Sequence, residues 1–203
     1  MWGLLRGIPE LICESLMKGQ PWIYIDHGYF HRGHYDGHYR FTLCDFQQRE
    51  INERPPDRWE SLGIRLKPWR TGSKILVCPP SDHVAKLFGL EGWERVTLAT
   101  VKQHTDRPIK VRRKGDPRTF AADVSDAHCV VAHNSIAAVE AVTLGVPVFV
   151  DRSSAAAPVG LTDLTKIEIP VYPDRDEWVR SLAYGQFTRE EMQSGLAWRT
   201  CAS

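Results

Sequence analysis

The chain has 203 residues, and 26 Lys and Arg against 25 Asp and Glu leave a formal charge of +1, which excludes a histone-like, wholly electrostatic nucleic-acid binder. Hydrophobic residues at 42% and charged residues at 25%, with 15 Gly and 13 Pro, exclude wholesale disorder. A chain of this length buries roughly two-thirds of its unfolded surface, enough for one good core or two small ones.

Leu4, Leu5, Ile8, Leu11, Ile12 and Leu16 recur at helical spacing, Gly19 ends the pattern, and Trp22-Ile23-Tyr24-Ile25 follows as a short apolar run. This predicts a helix feeding a buried strand. From His27 to about Gly72 the periodicity dissolves into aromatic, His, Gly and Arg residues, so that stretch is expected to be mostly loop and linker. Beyond Lys74 short apolar runs alternate with helical patterns. Strands are predicted at 75–78, 108–112, 128–131 and 146–150, with helices from about Ser81, over 93–101 and over 135–144. Such alternation implies parallel βαβ units with right-handed crossovers, hence an α/β, doubly wound, Rossmann-like parallel sheet. Two closing helices are expected at 174–184 and 188–198, the second opened by a capping box of Thr188 with Glu191. The division that follows is a reduced N-terminal α/β segment and linker, 1–72, and a ligand-binding domain with its closing helices, 73–203.

The five cysteines, Cys13, Cys44, Cys78, Cys129 and Cys201, are odd in number and form no CxxC pair, which fits a reducing cytoplasm. The longest apolar run, 142–150, is broken by Gly145 and Pro147 and is far shorter than the roughly 20 residues of a spanning helix. The first six residues place no basic stretch ahead of a long apolar core. Neither a membrane span nor a signal peptide is expected.

The most informative stretch sets His133-Asn134-Ser135 between a strand's carboxyl end and a helix's first turn, the place where doubly wound sheets hold ligands. Free N–H groups and the positive helix end suit a phosphate there, and the Ser135 hydroxyl can either cap the helix or touch that phosphate. Glu140, more than a turn along, reaches a ribose hydroxyl only if the ligand lies across the helix. Arg107, Lys110, Arg112, Arg113, Lys114 and Arg118 form the one basic concentration. Strand alternation puts Lys110, Arg112 and Lys114 on one side, where they can neutralise a diphosphate or monophosphate. A solvated basic rim and a nucleic-acid backbone are the alternatives.

His27, His31, His34 and His38 have a spacing that invites a zinc reading, but Gly28, Gly33 and Gly37 oppose the helix that would align them. No metal site is expected. These histidines, with Tyr29, Tyr35, Tyr39, Arg32 and Arg40, are expected to line a polar cleft for sugars or phosphates. Asp26 closes a strand beside the turn-forming Gly28, which suits either a turn cap or a carboxylate acting as general base or nucleophile, with His27 to tune or replace it.

Taken together, Ser135-x4-Glu140-Ala141-x3-Gly145-x-Pro147-Val148 resembles the nucleotide-binding signature in the C-terminal domain of GT-B glycosyltransferases and the related nucleotide-sugar 2-epimerases. Trp2-Gly3, Gly19-Gln20-Pro21 and Ile25-Asp26-His27-Gly28-Tyr29-Phe30-His31-Arg32 are similar to the segment of capsule-polysaccharide Kdo transferases that carries an acidic, Gly, aromatic motif. The stretch 178–198 is similar to the closing helices of that group. The resemblance covers about two-thirds of the chain. It implies a glycosyltransferase that moves a sugar from a CMP- or UDP-linked donor to a hydroxyl, normally of a saccharide, with no metal or other cofactor required.

On this reading Asp26 and His27 are the catalytic candidates, and His133, Asn134, Ser135, Glu140, Arg112 and Lys114 hold the donor. Tyr29, His31, Arg32, Tyr35 and Arg40 face the acceptor. The family's acidic pair is reduced to Asp26-His27, and only about 72 residues precede the nucleotide-type domain, so a second copy or a partner chain is the candidate to complete the first domain. Three rivals stay open: transfer to a hydroxylated base in nucleic acid, a nucleotide-sugar epimerase or hydrolase, and a non-catalytic nucleotide-sugar-binding protein.

Overall fold

The computed structural model describes residues 8–33 and 35–201. In chain order its elements are α1 (Ile8–Met17), β1 (Ile23–His27), β2 (Tyr39–Leu43), α2 (Asp57–Ser61), β3 (Lys74–Cys78), α3 (Asp82–Leu87), α4 (Trp93–His104) and β4 (Ile109–Val111). There follow α5 (Phe120–Val124), β5 (Ala127–Ala132), α6 (Ile136–Thr143), β6 (Val148–Phe149), α7 (Asp176–Tyr184), β7 (Gln186–Phe187), α8 (Arg189–Gln193) and α9 (Leu196–Cys201). The chain divides into one unit of Met1–Ile64 with Asp176–Ser203, and another of Arg65–Arg175.

In the second unit four parallel strands lie in the order β4-β3-β5-β6, alternating with helices. All of β5 and most of β3 are buried and, apart from His128, the buried residues are apolar, the pattern of strands covered on both faces. Ile75, Val77, Cys129, Val131 and Phe149 turn to one face and close over Val101 of α4 and Ile167. The alternate residues Leu76, Val130 and Val148 face the other way, where α6 packs on β5 and β6 with Ala138, Val139, Ala141 and Val142 buried. Because β4 lies on one side of β3 and β5 on the other, successive crossovers run in opposite directions. Their ends part at the carboxyl edge between β3 and β5.

Two arginines satisfy the far end of α6. Arg175 lies 3.8 Å over the Trp69 ring and donates to the carbonyls of Val142 (2.6 Å) and Lys67 (2.8 Å). Arg70 donates to Leu144 (3.3 Å) and Val124 (3.1 Å) and also reaches the Ser125 carbonyl. These cations complement the negative ends of α5 and α6, and the Val142 carbonyl accepts from both Arg175 and the Gly145 amide.

The first unit holds an antiparallel sheet, β1-β2-β7. Ile12 of α1 packs with Trp22 and Tyr24, which meet the Phe46 ring at 5.5 and 5.2 Å. Arg58 binds both Glu191 oxygens (2.7 and 3.0 Å) and the carbonyls of Gln186 (2.7 Å) and Ala183 (3.2 Å). Gln48 donates to Ser181, and Tyr184 to Asp57.

Those contacts explain the main departure from expectation. The sequence pattern groups the closing helices with the parallel domain, whereas α7 to α9 fall in the first unit, because Ser181, Tyr184, Gln186 and Glu191 bind residues 48–58. The boundaries accordingly lie at 64/65 and 175/176 instead of 72/73. The expected loop at 27–72 contains β2 and α2, and the helix expected at 188–198 is two helices parted at Gly195, whose φ is +76°. The Thr188–Glu191 capping box is present. Trp2, Gly3, Leu4 and Leu5 lie outside the described residues. Among the described residues no helix is long and apolar enough to cross a membrane.

Candidate ligand site at the carboxyl edge of the parallel sheet

Ala132 at the end of β5 is level with Cys78 at the end of β3, and Arg112, one residue past β4, donates its amide to the Val77 carbonyl at 2.8 Å. The three strand ends therefore open side by side. The chain leaves β3 through Pro79-Pro80, while His133-Asn134 leads β5 into α6. Ser135 is the extended N-cap of α6, and its Oγ accepts the Ala137 amide at 3.2 Å. The Ser135 carbonyl accepts the Ala138 amide at 3.0 Å, leaving the Ser135 and Ile136 amides without an intrahelical acceptor. A serine hydroxyl that accepts one bond still carries its own proton, so capping and donation to a ligand are compatible. The first turn of α6 contains no acidic residue, which suits an anion.

His133 is the next residue inward. Its carbonyl accepts the Asp151 amide at 3.0 Å, and its Nε2 stands 3.9 Å from Asp151 Oδ1, just beyond β6. Trp93 meets the His133 ring edge-on at 6.5 Å, and His133 Nδ1 is buried with no hydrogen-bond partner among the described residues. Burial pulls the Asp151 carboxyl upward, but bonds from Ser153 and the nearby His133 outweigh it and hold the group below its usual range. Asn134 and Glu140 are half-buried. Sequence reasoning missed Asp151 and Trp93, and only the strand order brings them beside His133.

The basic group is organised by a residue that sequence reasoning also missed. Lys110 and Arg112 project to one side of β4 and converge on Asp123 of α5, whose side chain is 1% exposed. Lys110 Nζ lies 2.6 Å from one oxygen, Arg112 binds the other, and Arg118 Nε comes within 3.3 Å. The Lys110 hydrogen bond, aided by Arg112, holds the Asp123 carboxyl below its usual range despite burial. Lys114 does not join them. β4 ends at Val111, so alternation stops there, and Lys114 sits exposed in the turn where Arg113 and Asp116 bond to each other. Burial pushes the Cys78 thiol up to about 12, with Arg112 acting in the opposite sense.

The remaining candidates lie in the first unit. Asp26 Oδ2 accepts from the Tyr24 hydroxyl (2.8 Å) and Arg40 Nη2 (3.0 Å), and Oδ1 accepts the His27 amide (2.8 Å). Arg40 is buried, donates to the His27 carbonyl at 3.2 Å, and lies 5.5 and 5.8 Å from the Tyr24 and Tyr29 ring centres. Burial pushes the Tyr29 phenol up to about 12 and that of Tyr24 further, with the Asp26 charge adding to the latter. Tyr29 also accepts the Gln48 amide at 2.7 Å. Asp26, Tyr29 and Arg40 thus share one enclosed network, whereas His31, Arg32 and Tyr35 are exposed. Of the residues expected to line a polar cleft, Tyr29, Tyr39 and Arg40 are buried in the packing of the sheet. His27 stacks on Tyr39 and His31 meets His38, while His34 lies outside the described residues. Among the described residues no three His, Cys, Asp or Glu side chains come together as a metal would need.

No protein-family model matches this chain, and no curated protein is similar to it in sequence. The likeness to GT-B glycosyltransferases therefore stands on the motif residues alone. Chemically, the carboxyl edge of the parallel sheet offers free amides, a hydroxyl, an imidazole and two anchored cations. Donors and cations of these kinds suit the anionic oxygens of a phosphate group.

Proposed function

We propose that the parallel unit binds a nucleotide-activated sugar, CMP- or UDP-linked, and that the protein is a glycosyltransferase of GT-B type acting on a hydroxyl acceptor. One observation carries the reading: the strand order β4-β3-β5-β6 sets the Ser135 start of α6 at the point where the sheet's crossovers diverge. There Ser135 and the first amides of α6 bind phosphate, Glu140 lies along the helix toward the ribose, and Arg112 adds positive charge. Departure of the phosphate is then assisted by the helix end and the cations, groups that need no reorganisation as charge develops. A saccharide hydroxyl is the acceptor the motifs favour, with a hydroxylated base in nucleic acid as the variant.

A second reading, a non-catalytic nucleotide-sugar-binding protein, is favoured by Asp26. Both oxygens of this carboxylate are already engaged by Tyr24, Arg40 and the His27 amide, so service as a base requires the release of one donor. Incubation with labelled UDP- and CMP-sugars and a panel of saccharide acceptors separates the two. Label transferred to an acceptor supports the transferase, binding without turnover supports the module, and release of free sugar without acceptor supports a hydrolase.

A further inference from the structure

His38 stands at the closing end of the turn that joins β1 to β2. Its carbonyl accepts the Gly28 amide at 2.7 Å and its amide donates to the His31 carbonyl at 2.9 Å, so two backbone bonds made by one histidine hold the turn shut. The His31 and His38 ring centres are 6.0 Å apart, and His31 is held at φ +49°, in the left-handed region that residues with a Cβ rarely adopt. Release of the turn frees that torsion.

The surroundings of the His38 ring favour its neutral form. Nδ1 is buried and has no hydrogen-bond partner among the described residues. A neutral imidazole leaves that nitrogen unprotonated and keeps its proton on Nε2, whereas a doubly protonated ring sets an N–H there with no acceptor and a charge in a partly desolvated position. Glu191 of α8 is the anion that acts on the ring, but Arg58 of α2 binds both its oxygens (2.7 and 3.0 Å) and the Thr188 amide takes one of them at 2.8 Å. The Arg58 charge and His31 oppose a further cation, and Arg32 and Asp36 of the turn itself are exposed. Burial, the largest influence, together with His31 and Arg58 outweighs the pull of Glu191 and lowers the proton affinity of His38 in the folded state.

We propose that the turn closed by His31 and His38 is a pH-sensitive latch, shut while the His38 ring is neutral and released when the ring takes a second proton. The turn carries the exposed side chains of His31, Arg32 and Tyr35, whose placement therefore follows pH. The latch belongs to the first unit and stands whether or not the parallel unit binds a nucleotide sugar. Because the released turn binds the extra proton, the latch has its full strength above the ordinary histidine value of about 6.5 and weakens as pH falls from there through the lowered folded value.

The test is amide hydrogen exchange of the full chain, followed residue by residue by NMR from about pH 7.5 to 5 and corrected for the intrinsic rates. One proton taken up on release makes the protection of the Gly28 and His38 amides fall about tenfold per pH unit below about 6.5. The Cys44 amide, which donates to the Trp22 carbonyl at 2.8 Å at the other end of the same ladder, is expected to keep its protection. His38→Gln is expected to abolish the slope at Gly28. Protection at Gly28 and His38 that is flat across the range, a slope shared equally by Cys44, or a slope at Gly28 that persists in His38→Gln overturns the latch. If His38→Gln fails to fold, the ring titration of His38 in the parent protein decides: a midpoint below about 6.5 supports the latch, and one at or above it overturns the latch.

Discussion

Arg40 reaches Asp26 across 3.0 Å, with the Arg40 side chain 6% exposed and the Asp26 side chain 30% exposed. The pair locks β1 to β2 at the register where Asp26 faces Arg40, and Tyr24 joins it from two residues away. Removing the carboxylate leaves a buried guanidinium short of its counter-ion. Asp26→Ala is therefore expected to destabilise the first unit by about 2–4 kcal/mol and Asp26→Asn by about 1–3 kcal/mol, read by urea unfolding. Parental stability in both variants with turnover abolished would return Asp26 to a catalytic role.

Ser135 serves as helix cap and as ligand donor at once. Ser135→Ala is expected to lose about 1 kcal/mol of stability through the cap and about 1–3 kcal/mol of nucleotide affinity through the charge-assisted bond. Ser135→Asp restores the cap and sets a negative charge where the phosphate goes, so its stability is expected to recover while its affinity falls further. Thermal melting and calorimetry read the two effects separately.

Gly145 ends α6 at φ +79°, and a Cβ there would stand 2.1 Å from the Pro68 carbonyl oxygen. Both the left-handed backbone and the close approach exclude a side chain. Gly145→Ala is expected to cost about 2 kcal/mol or more by chemical denaturation. A neutral result would mean that the 65–70 segment does not lie against the end of α6.

His128 supplies a pH dependence. Its Nε2 donates to the Ile167 carbonyl at 3.0 Å, which puts a proton on Nε2, and its Nδ1 meets Thr71 Oγ1 at 3.1 Å, a hydroxyl able to donate to the unprotonated nitrogen. Burial, with the Arg107 charge adding, lowers its proton affinity in the folded state. The folded pKa is thus below the unfolded value of about 6.5, so the unfolded chain binds the extra proton. Its contribution to stability is complete above that value and is lost as pH falls from there through the lowered folded value. His128→Gln is expected to flatten the loss of stability as pH falls below about 6.5. An unchanged slope in the variant would assign the acid sensitivity to other groups.

The parallel unit was legible because its strands announce themselves. Ile75-Leu76-Val77-Cys78 and Cys129-Val130-Val131 are continuous apolar runs, and only a sheet covered on both faces needs those. β2 was hidden because its buried face carries Arg40 and Thr42, polar residues that earn their place through Asp26 and the Asp45 carbonyl, contacts not visible in a linear pattern. The two-residue β7 and five-residue α5 are too short for any periodicity to register. Ser135 was found from its place between strand and helix. Asp123 was missed because its partners lie 11 and 13 residues earlier on an adjoining strand, and an isolated Asp after two alanines reads as a solvated helix residue.

The most direct measurement of the ligand site is a backbone amide NMR titration of the full chain with UDP. The expected result is that the largest shift changes fall on residues 133–137 at the start of α6 and on Cys78 and Ser81, which flank the amide-less Pro79-Pro80, with smaller ones at 110–112. Saturating UDP that leaves those amides unmoved, or moves only residues of the first unit, would contradict a nucleotide site at the carboxyl edge of the parallel sheet.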